Sequence, residues 1–380
     1  MRVYLDHNAT TPVDERVLDA MLPFLRGEYG NPSSLHWFGQ RARAAVEEAR
    51  ERVARLIGAA PAEIVFTASG SESDNMALRG VAEKAKAPRR KLAVGAGEHH
   101  AVLNCAKALR DEGWPVAIVG VSPQGRVELA ELAAELDDTV ALVSLMLANN
   151  ETGAVQPVAE ATRLAHARGA LVHCDAVQAA GKLRVDVREL DVDLLTLSAH
   201  KLYAPKGVGC LYVRRGTPMT PLVRGGGQER NRRAGTENVA GVVGFGAAAA
   251  LALEALEAES SRLSALRDRL EARLLALPGV LRNGGEPRLP NTTNLSFDGC
   301  EAESLMMALD LEGVAVSTGA ACSSGAIEPS HVLRAMGLPP ERVQSSLRLS
   351  LGRSTTAAEV DHAADVITAV VQRLRRQPIR

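Results

Sequence analysis

The sequence predicts an α/β protein with a large domain built on a mostly parallel, seven-stranded sheet and a smaller α+β C-terminal domain. The chain has 380 residues, which is long for a single domain. Over its first two-thirds, short apolar and β-branched runs alternate with helical periods, which is typical of a parallel sheet covered by helices on both faces. In such sheets, ligands bind at the carboxyl ends of the strands.

The individual elements follow from these alternating patterns. The seven predicted strands of the large sheet are residues 63–67, 91–95, 115–119, 140–145, 170–173, 194–197 and 209–213. The helical periods between them include residues 71–86, 102–112, 128–136 and 158–168. One or two long helices over 237–277 lead to predicted strands at 292–297, 314–317 and 346–350 and a last helix at 357–374. We therefore expect residues 1–15 to join the small domain, 16–255 to form the large domain, and 256–380 to form the small one.

The composition argues against several classes of partner. The 44 basic and 45 acidic side chains are well mixed and give a net charge of −1, so neither nucleic acid nor a membrane surface is expected as the main partner. The longest apolar stretch, residues 239–253, is shorter than the ~20 residues of a membrane span and predicts a buried helix. The five cysteines are scattered and form no CxxC pair, so neither a disulfide framework nor a metal site is expected. With no secretory signal after Met1, these features favour the cytoplasm.

Two candidate site residues, Lys201 and Asp175, follow predicted strands of the sheet. A lysine just after the strand 194–197 could bind an aldehyde cofactor covalently, or it could be a surface lysine in a turn. Asp175 ends an apolar run, and a buried aspartate needs a partner. That partner could be a protonated pyridine nitrogen, although a strand-end cap or a metal ion is an alternative. Gln178, about one helical turn further on, could reach the same ring.

Three loops could add polar side chains at the same edge of the sheet. Residues 67–75 run from a strand into a helix, where free N–H groups and the helix dipole attract phosphate, and Ser71 would add a hydroxyl donor. An ordinary N-cap is the alternative there. His99 could stack on a cofactor ring and move protons, or simply occupy a polar loop. Asn150 could reach the cleft or shape a turn with Asn149.

Cys322 lies in a run of small residues, 317–325, that reads STGAACSSG. Most single cysteines are buried as small apolar groups. This one has glycine and serine on both sides and no apolar periodicity, so we interpret it as a thiol on a loop that is available for chemistry. The other four cysteines are expected to be structural, with Cys105 in a helix, Cys174 and Cys210 in strands and Cys300 in a loop.

Eight motifs occur in a fixed order along the chain. They are 4–12 (YLDHNATTP), 71–75 (SESDN), 98–101 (EHHA), 149–153 (NNETG), Asp175 with Gln178, 198–201 (SAHK), 233–236 (RAGT) and 321–325 (ACSSG). In this order and at this spacing, the sequence resembles the cysteine desulfurases of the NifS/IscS type, in the aminotransferase class V branch of the fold-type I enzymes that use pyridoxal 5'-phosphate (PLP). The resemblance covers essentially the whole chain. It implies a PLP-dependent transferase that is a homodimer.

The resemblance also implies a role for each matching residue. Lys201 would bind the cofactor aldehyde and later carry protons, and His99 would stack over the ring and shuttle protons. The remaining cofactor contacts would be Asp175 at the pyridine nitrogen, Gln178 and Asn150 near the ring hydroxyl, Ser71, Ser198 and His200 at the phosphate, and Thr236 at the phosphate of the partner subunit's cofactor. Arg348 would clamp the substrate carboxylate, because a guanidinium fork matches a carboxylate, and Asn31 belongs to a segment near the substrate.

The implied reaction takes sulfur from L-cysteine, leaves L-alanine and stores the sulfur on Cys322 as a persulfide. Acceptor proteins such as an iron–sulfur scaffold would then receive it. Two other classes stay open. A selenocysteine lyase or another class V PLP aminotransferase would keep Lys201 and Asp175 but would not need Cys322. An inactive sulfur-carrier or scaffold protein with this fold would not need the full set of catalytic side chains.

Overall fold

The structure is a computed structural model that describes residues 1–319 and 329–376. Within these ranges the strands are β1 (Val3–Tyr4), β2 (Ile64–Thr67), β3 (Lys91–Gly95), β4 (Val116–Val119), β5 (Val140–Met146), β6 (Leu171–Asp175), β7 (Leu194–Ser198), β8 (Gly209–Val213), β9 (Val280–Arg282), β10 (Thr292–Phe297), β11 (Val314–Ala315) and β12 (Ser346–Ser350). The helices are α1 (Glu15–Arg26), α2 (Trp37–Leu56), α3 (Gly70–Lys84), α4 (His100–Asp111), α5 (Leu129–Glu135), α6 (Val158–Ala167), α7 (Val187–Leu190), α8 (Gln228–Asn231), α9 (Val239–Leu275), α10 (Ala302–Leu311), α11 (His331–Ala335), α12 (Pro340–Gln344) and α13 (Ala357–Arg375). The predicted thiol, Cys322, lies outside the described residues.

The predicted seven-stranded sheet is confirmed. Its strand order is β2-β8-β7-β6-β5-β3-β4. Strand β8 runs antiparallel to both β2 and β7, and the other neighbouring pairs are parallel. Each strand agrees with its predicted run to within two residues at either end. The sheet is therefore mostly parallel, as the βαβ rhythm of the sequence indicates.

Both faces of this sheet are covered, which explains why its strands are apolar at almost every position. Strands β5, β7 and β8 are buried throughout. Successive side chains of a strand point to opposite faces. Accordingly, Leu142 and Val143 are neighbours on β5 but belong to two different apolar clusters, one on each side of the sheet.

A second group of elements forms around a three-stranded antiparallel sheet with the order β12-β10-β9. Its apolar cluster includes Leu295, Leu347 and Ile367. The start of the chain belongs to the same cluster, because Leu5 is fully buried there and β1 pairs in parallel with β11. A bridge between Asp6 and Ser350 extends this contact towards the large sheet.

Helix α9 is one continuous element of 37 residues, where the sequence predicted one or two helices. Phe245 in its first half packs in the core of the large sheet, and Leu270 in its second half packs in the C-terminal cluster. By length and composition alone, α9 could cross a membrane. Its apolar half instead packs against α1 and α2, which confirms the predicted buried helix over residues 239–253.

Candidate active site

A cavity of about 500 Å³ lies at the carboxyl ends of β5, β6 and β7. The structure brings together there nine residues that the sequence nominated, namely Ser71, His99, Asn150, Asp175, Gln178, Ser198, His200, Lys201 and Arg348. It also brings there side chains to which the sequence analysis gave no role, among them Asp6, Asn8 and Asp74. The site therefore forms at the edge of the sheet that an α/β fold uses for ligands.

Lys201 sits in a single 3-10 turn, Ala199–Lys201, directly after β7. Its Nζ donates hydrogen bonds of 2.6 Å to the backbone carbonyl oxygens of Asn8 and Ala9. Burial, followed by the charge of Arg348, lowers the pKa of this amine to about 8. The lysine is thus held in a fixed orientation in the cavity, and a fraction of it is neutral near pH 7. The alternative of a surface lysine in a turn does not hold.

Asp175 is the last residue of β6 and is only 6% exposed. Its Oδ1 accepts the Val177 N–H at 2.9 Å. Burial raises the pKa of this carboxyl to about 6, while the Val177 N–H and Lys201 act in the opposite direction. Among the residues that the structure describes, no group of three or more His, Cys, Asp or Glu side chains could hold a metal ion.

Gln178 is fixed by contacts from two sides. Its Nε2 donates to the Asn8 carbonyl oxygen at 2.9 Å. The buried Lys182 donates from Nζ to the backbone oxygen of Gln178 at 3.0 Å and to its Oε1 at 3.2 Å. Burial is also the main reason that the pKa of Lys182 is lowered to about 7. The amide of Gln178 therefore has a defined orientation beside the cavity.

The start of α3 combines a helix cap with a cavity wall. Ser69 is the N-cap, and its Oγ accepts the Glu72 N–H at 3.1 Å. Ser71 lies in the first turn and lines the cavity. A Cβ on Gly70 would lie 3.0 Å from Cγ2 of Val177, so the glycine lets the helix start approach this wall closely. Both interpretations of the loop therefore hold, with the cap on Ser69 and the cavity position on Ser71.

His99 is the N-cap of α4 and also lines the cavity. Its Nδ1 accepts the Ala101 N–H at 3.1 Å. His99 keeps part of its surface exposed. Desolvation of the ring by the surrounding protein, then the charge of Lys201, lowers the pKa of His99 to about 4, so the ring is neutral near pH 7. Because Nδ1 acts as an acceptor, the neutral ring carries its proton on Nε2.

In the loop after β5, the two neighbouring asparagines have different roles. Asn149 shapes the turn, since its Oδ1 accepts the N–H groups of Glu151 and Thr152 at 2.9 Å. Asn150 lines the cavity, and its carbonyl oxygen accepts a hydrogen bond of 3.1 Å from Nη1 of Arg348. The turn interpretation therefore fits Asn149, and the cleft interpretation fits Asn150.

Arg348 is 5% exposed and lies on β12. Its Nη2 donates to Oδ1 of Asp6 at 2.6 Å. Its Nε is buried without a hydrogen-bond partner within the described part of the chain. The guanidinium thus lines the cavity and carries N–H donors that Asp6 and Asn150 do not use.

Two of the site residues predicted from the sequence, Thr236 and Asn31, lie apart from this cavity. Thr236 lines a separate pocket of about 150 Å³ together with Ala68 and Arg233. Asn31 is exposed, and its Oδ1 accepts the Ser33 N–H at 2.9 Å. Neither side chain lines the cavity in a single copy of the chain, and their roles stay predictions.

Asp6 and Asn8 are two of the cavity residues to which the sequence gave no role. Both belong to the motif at residues 4–12, whose order and spacing signalled the resemblance but gave no role for either side chain. They reach the cavity because β1 pairs with β11 and Asp6 bridges to Ser350. The signal that could have pointed to them is a carboxylate and an amide that directly follow the apolar residues Val3, Tyr4 and Leu5.

The α/β fold, with a lysine and a buried aspartate in one cavity, defines the class of fold-type I PLP enzymes. Comparison with known proteins agrees with this class. The family model described as aminotransferase class-V matches residues 3–362. The chain therefore belongs to the aminotransferase class-V family, and it is an enzyme of the cysteine desulfurase group of the NifS/IscS type, as the following similarities show.

The relatives are similar over almost their whole length. The cysteine desulfurase of Trichormus azollae is 49% identical over 375 residues, which cover 98% of this chain and 94% of the relative. The cysteine desulfurase NifS of Azotobacter vinelandii is 47% identical over 376 residues, covering 98% and 93%. A solved structure described as a NifS-like protein has a TM-score of 0.93 and 41% identity, and the match covers 98% of this chain and 100% of that one.

Proposed function

We propose that this enzyme uses PLP to convert L-cysteine to L-alanine and stores the sulfur on Cys322 as a persulfide. The persulfide then passes to acceptor proteins, such as a scaffold for iron–sulfur cluster assembly, in the cytoplasm. The observation that carries the proposal is the convergence of Lys201, Asp175, His99 and Arg348 in one cavity. Such a set supplies an amine, a buried carboxylate, an imidazole and a carboxylate-binding cation at one place.

The cavity residues fit PLP by their chemistry. A buried carboxylate suits a protonated pyridine nitrogen, and a helix start with a nearby hydroxyl suits a phosphate. Asp175 would hold the nitrogen, Gln178 and Asn150 would bind the ring hydroxyl, and Ser71, Ser198 and His200 would hold the phosphate. When bound, PLP supplies an electron sink that stabilises negative charge on the substrate carbon.

Lys201 supplies the amine. A group with a pKa of about 8 is about one-tenth neutral at pH 7, and the neutral amine is the form that binds an aldehyde or accepts a proton. The carbonyl oxygens of Asn8 and Ala9 orient Nζ in the cavity. His99, with its proton on Nε2, contributes a neutral hydrogen-bond donor beside this amine.

The burial of the described cysteines supports Cys322 as the sulfur acceptor. The thiolate is the reactive form of cysteine. Burial raises the thiol pKa of all four described cysteines, to about 11 for Cys105 and upward as well for Cys174, Cys210 and Cys300. In the sulfur transfer, a bond forms between the Cys322 sulfur and the substrate sulfur while the bond from that sulfur to Cβ breaks. The thiol proton is balanced by the proton that Cβ gains in alanine, so no external oxidant is needed.

A homodimer is part of the proposal. Asn31 lies among exposed apolar side chains that include Tyr29, 77% exposed, and Trp37, 63% exposed. Tyr29 also stacks on Phe38, with ring centroids 5.6 Å apart. A contiguous exposed aromatic surface favours association. A partner subunit bound to this surface would cover Asn31, which is one of the two predicted site residues that do not line the cavity of the same chain.

The experiment is to add L-cysteine to the full-length protein loaded with PLP, then to measure both alanine and the mass of each cysteine peptide. We expect alanine and a gain of one sulfur on Cys322. Release of a keto acid would identify an aminotransferase instead. Turnover of selenocysteine without turnover of cysteine would identify a selenocysteine lyase.

A further inference from the structure

A row of three polar side chains crosses the large sheet next to Asp175. Ser144 on β5 is the register partner of His173 on β6, and Asp175 is the register partner of Thr196 on β7. His173 bonds to both neighbouring strands, through Nδ1 to the Ser144 Oγ at 2.8 Å and through Nε2 to the Thr196 Oγ1 at 3.0 Å. Ser144, His173 and Thr196 are all fully buried, so the row is part of the sheet's interior.

Helix α3 packs against β5, β6 and β7 and brings Asp74 to this row. Asp74 is 2% exposed and lines the cavity together with Asp175. Its Oδ1 lies 3.6 Å from Nε2 of His173 and has no hydrogen-bond partner among the described residues. Asp74 is therefore a buried carboxyl group that faces the cofactor cavity and that the proposed mechanism does not use.

Glu98 is a third buried carboxyl in the same region. It is 2% exposed, and its Oε1 accepts the Met146 N–H at 2.5 Å. Its Oε2 has no hydrogen-bond partner in the described part of the chain. Within residues 1–319 and 329–376, no lysine or arginine nitrogen lies within 4.0 Å of a carboxylate oxygen of Asp74 or Glu98. Neither carboxyl therefore has a cation to balance a charge.

His173 does not supply that cation. Burial lowers the pKa of its fully enclosed ring to about 3, so the ring is neutral. Burying two or three neighbouring anions without a cation is costly, and proteins avoid this by protonation. Burial, followed by the charge of Asp175, raises the pKa of Asp74 and of Glu98 well above their usual range. The nearby Thr196 hydroxyl acts in the opposite direction and favours the Asp74 anion, but burial is the larger effect on the pKa of Asp74.

Asp175 differs from the other two. The Val177 N–H and the charge of Lys201 both favour its ionised form, so its pKa reaches only about 6. We propose that Asp74 and Glu98 are held as neutral carboxylic acids, so that Asp175 is the single anion of the three, with Asp74 positioned by the row Ser144–His173–Thr196. Asp74 is then a positioning residue for Asp175.

The consequence for cofactor binding rests on the proposed function. A single anion at Asp175 matches the single positive charge of a pyridinium. A second anion beside Asp175 would raise the affinity of Asp175 for a proton and weaken its pairing with that ring. The protonation states themselves are a property of the chain. They can be measured without substrate or turnover, so the outcome is separate from whether the protein makes alanine.

Infrared absorption of the full-length protein at pH 7, with and without added PLP, tests the proposal. A protonated carboxyl group absorbs at a higher frequency than a carboxylate, apart from the amide bands. We expect one such band from Asp74 and one from Glu98. Labelling aspartate with ¹³C should shift one of them, Asp74→Asn should remove that one, and Glu98→Gln should remove the other. Thr196→Val, which replaces a hydroxyl with a methyl group, should shift the Asp74 band without removing it.

Two results would overturn the proposal. One is a wild-type spectrum in which ¹³C-aspartate shifts no protonated band. The other is removal of the labelled band by Asp175→Asn while it persists in Asp74→Asn, which would place the proton on Asp175. The labelled wild-type protein needs no substitution, so the first test stands even if Asp74→Asn does not fold.

Discussion

Nη2 of Arg348 donates to Oδ1 of Asp6 at 2.6 Å, so the arginine proposed to bind the substrate carboxylate already holds a carboxylate of its own chain. A second carboxylate on the same guanidinium is repelled by the first. Asp6→Asn removes the charge of Asp6 but keeps an oxygen acceptor. We therefore expect the KM for L-cysteine to fall about threefold, which corresponds to ~0.7 kcal/mol, with little change in kcat.

Steady-state kinetics of alanine release measures this effect. Asp14→Asn is the matched control, since Asp14 pairs with Arg16 at the surface, away from the cavity lining. A rise in KM for Asp6→Asn would mean that the Asp6 charge serves to hold the guanidinium in place.

The pH dependence of cofactor loading should report the pKa of Lys201. The folded protein lowers this pKa to about 8, so the neutral amine is lost as the pH falls below that value. The initial rate of PLP incorporation into cofactor-free protein should therefore rise about tenfold between about pH 7 and about pH 9. The growth of the visible absorbance band measures it. Because the Asp6 charge raises the pKa of Lys201, Asp6→Asn should move the profile to lower pH.

Replacing Lys201 with alanine should abolish turnover and the visible absorbance band of the bound cofactor. The reason is that its Nζ is the amine held at the cavity wall. Lys206→Ala is the control, because Lys206 is an exposed lysine five residues further along the chain. Alanine production at the wild-type rate by the Lys201→Ala variant would refute the assignment.

His99→Asn separates the two roles of His99. Asparagine is a good N-cap, so helix α4 and the melting temperature should be largely preserved. The variant loses the ring and its Nε2–H, and we expect kcat to fall about a hundredfold, in the range for loss of a positioned proton donor or acceptor. Thermal unfolding and single-turnover kinetics together test this. A loss of stability that matches the loss of rate would indicate that the capping role alone matters.

Cys322→Ser should bind PLP normally but form no persulfide, because cofactor binding does not use the thiol. Mass spectrometry after mixing with L-cysteine measures the sulfur gain at each cysteine. Cys300→Ser is the control, since Cys300 is buried and its thiol pKa is raised. Sulfur found in the wild type on Cys105, Cys174, Cys210 or Cys300, with Cys322 unmodified, would overturn the transfer step and leave the PLP assignment intact.

Trp37→Glu should shift the protein from dimer to monomer, because it places a charge on the exposed aromatic surface around Tyr29 and Phe38. Sedimentation velocity measures the change. Met307→Glu is a matched control at a different exposed apolar position, 62% exposed. A monomeric wild-type protein with full cofactor occupancy would contradict the homodimer.

The large sheet could be predicted because each of its strands carries its own signal. A strand such as β5 is apolar on both faces whatever lies next to it. β1 could not be predicted, since its two residues become a strand only by pairing with β11 near the other end of the chain. Helices α1 and α2, where no element was predicted, likewise pack on the distant α9.

The same distinction, between local sequence signals and contacts with distant parts of the chain, applies to the site. Lys201 and Asp175 follow strong strands, so their place at the sheet edge could be inferred from the sequence. Asp74 could not be recognised, because a carboxylate in the first turns of a helix is ordinary there, and only the packing of α3 on the sheet turns it towards His173. Thr236 and Asn31 lie apart from the cavity, so their proposed roles stay predictions.

The contact between Asp6 and Arg348 spans 342 residues of chain, and this fixes the order in which the site can be assembled. During synthesis, every strand of the large sheet emerges before β9 to β12 exist. Residues 3–6 must wait for their native partners until β11 and β12 have been made. Contacts so distant in sequence form slowly. A nascent chain can therefore complete its sheet and its lysine turn early, yet its cavity gains the guanidinium only once β12 has been made.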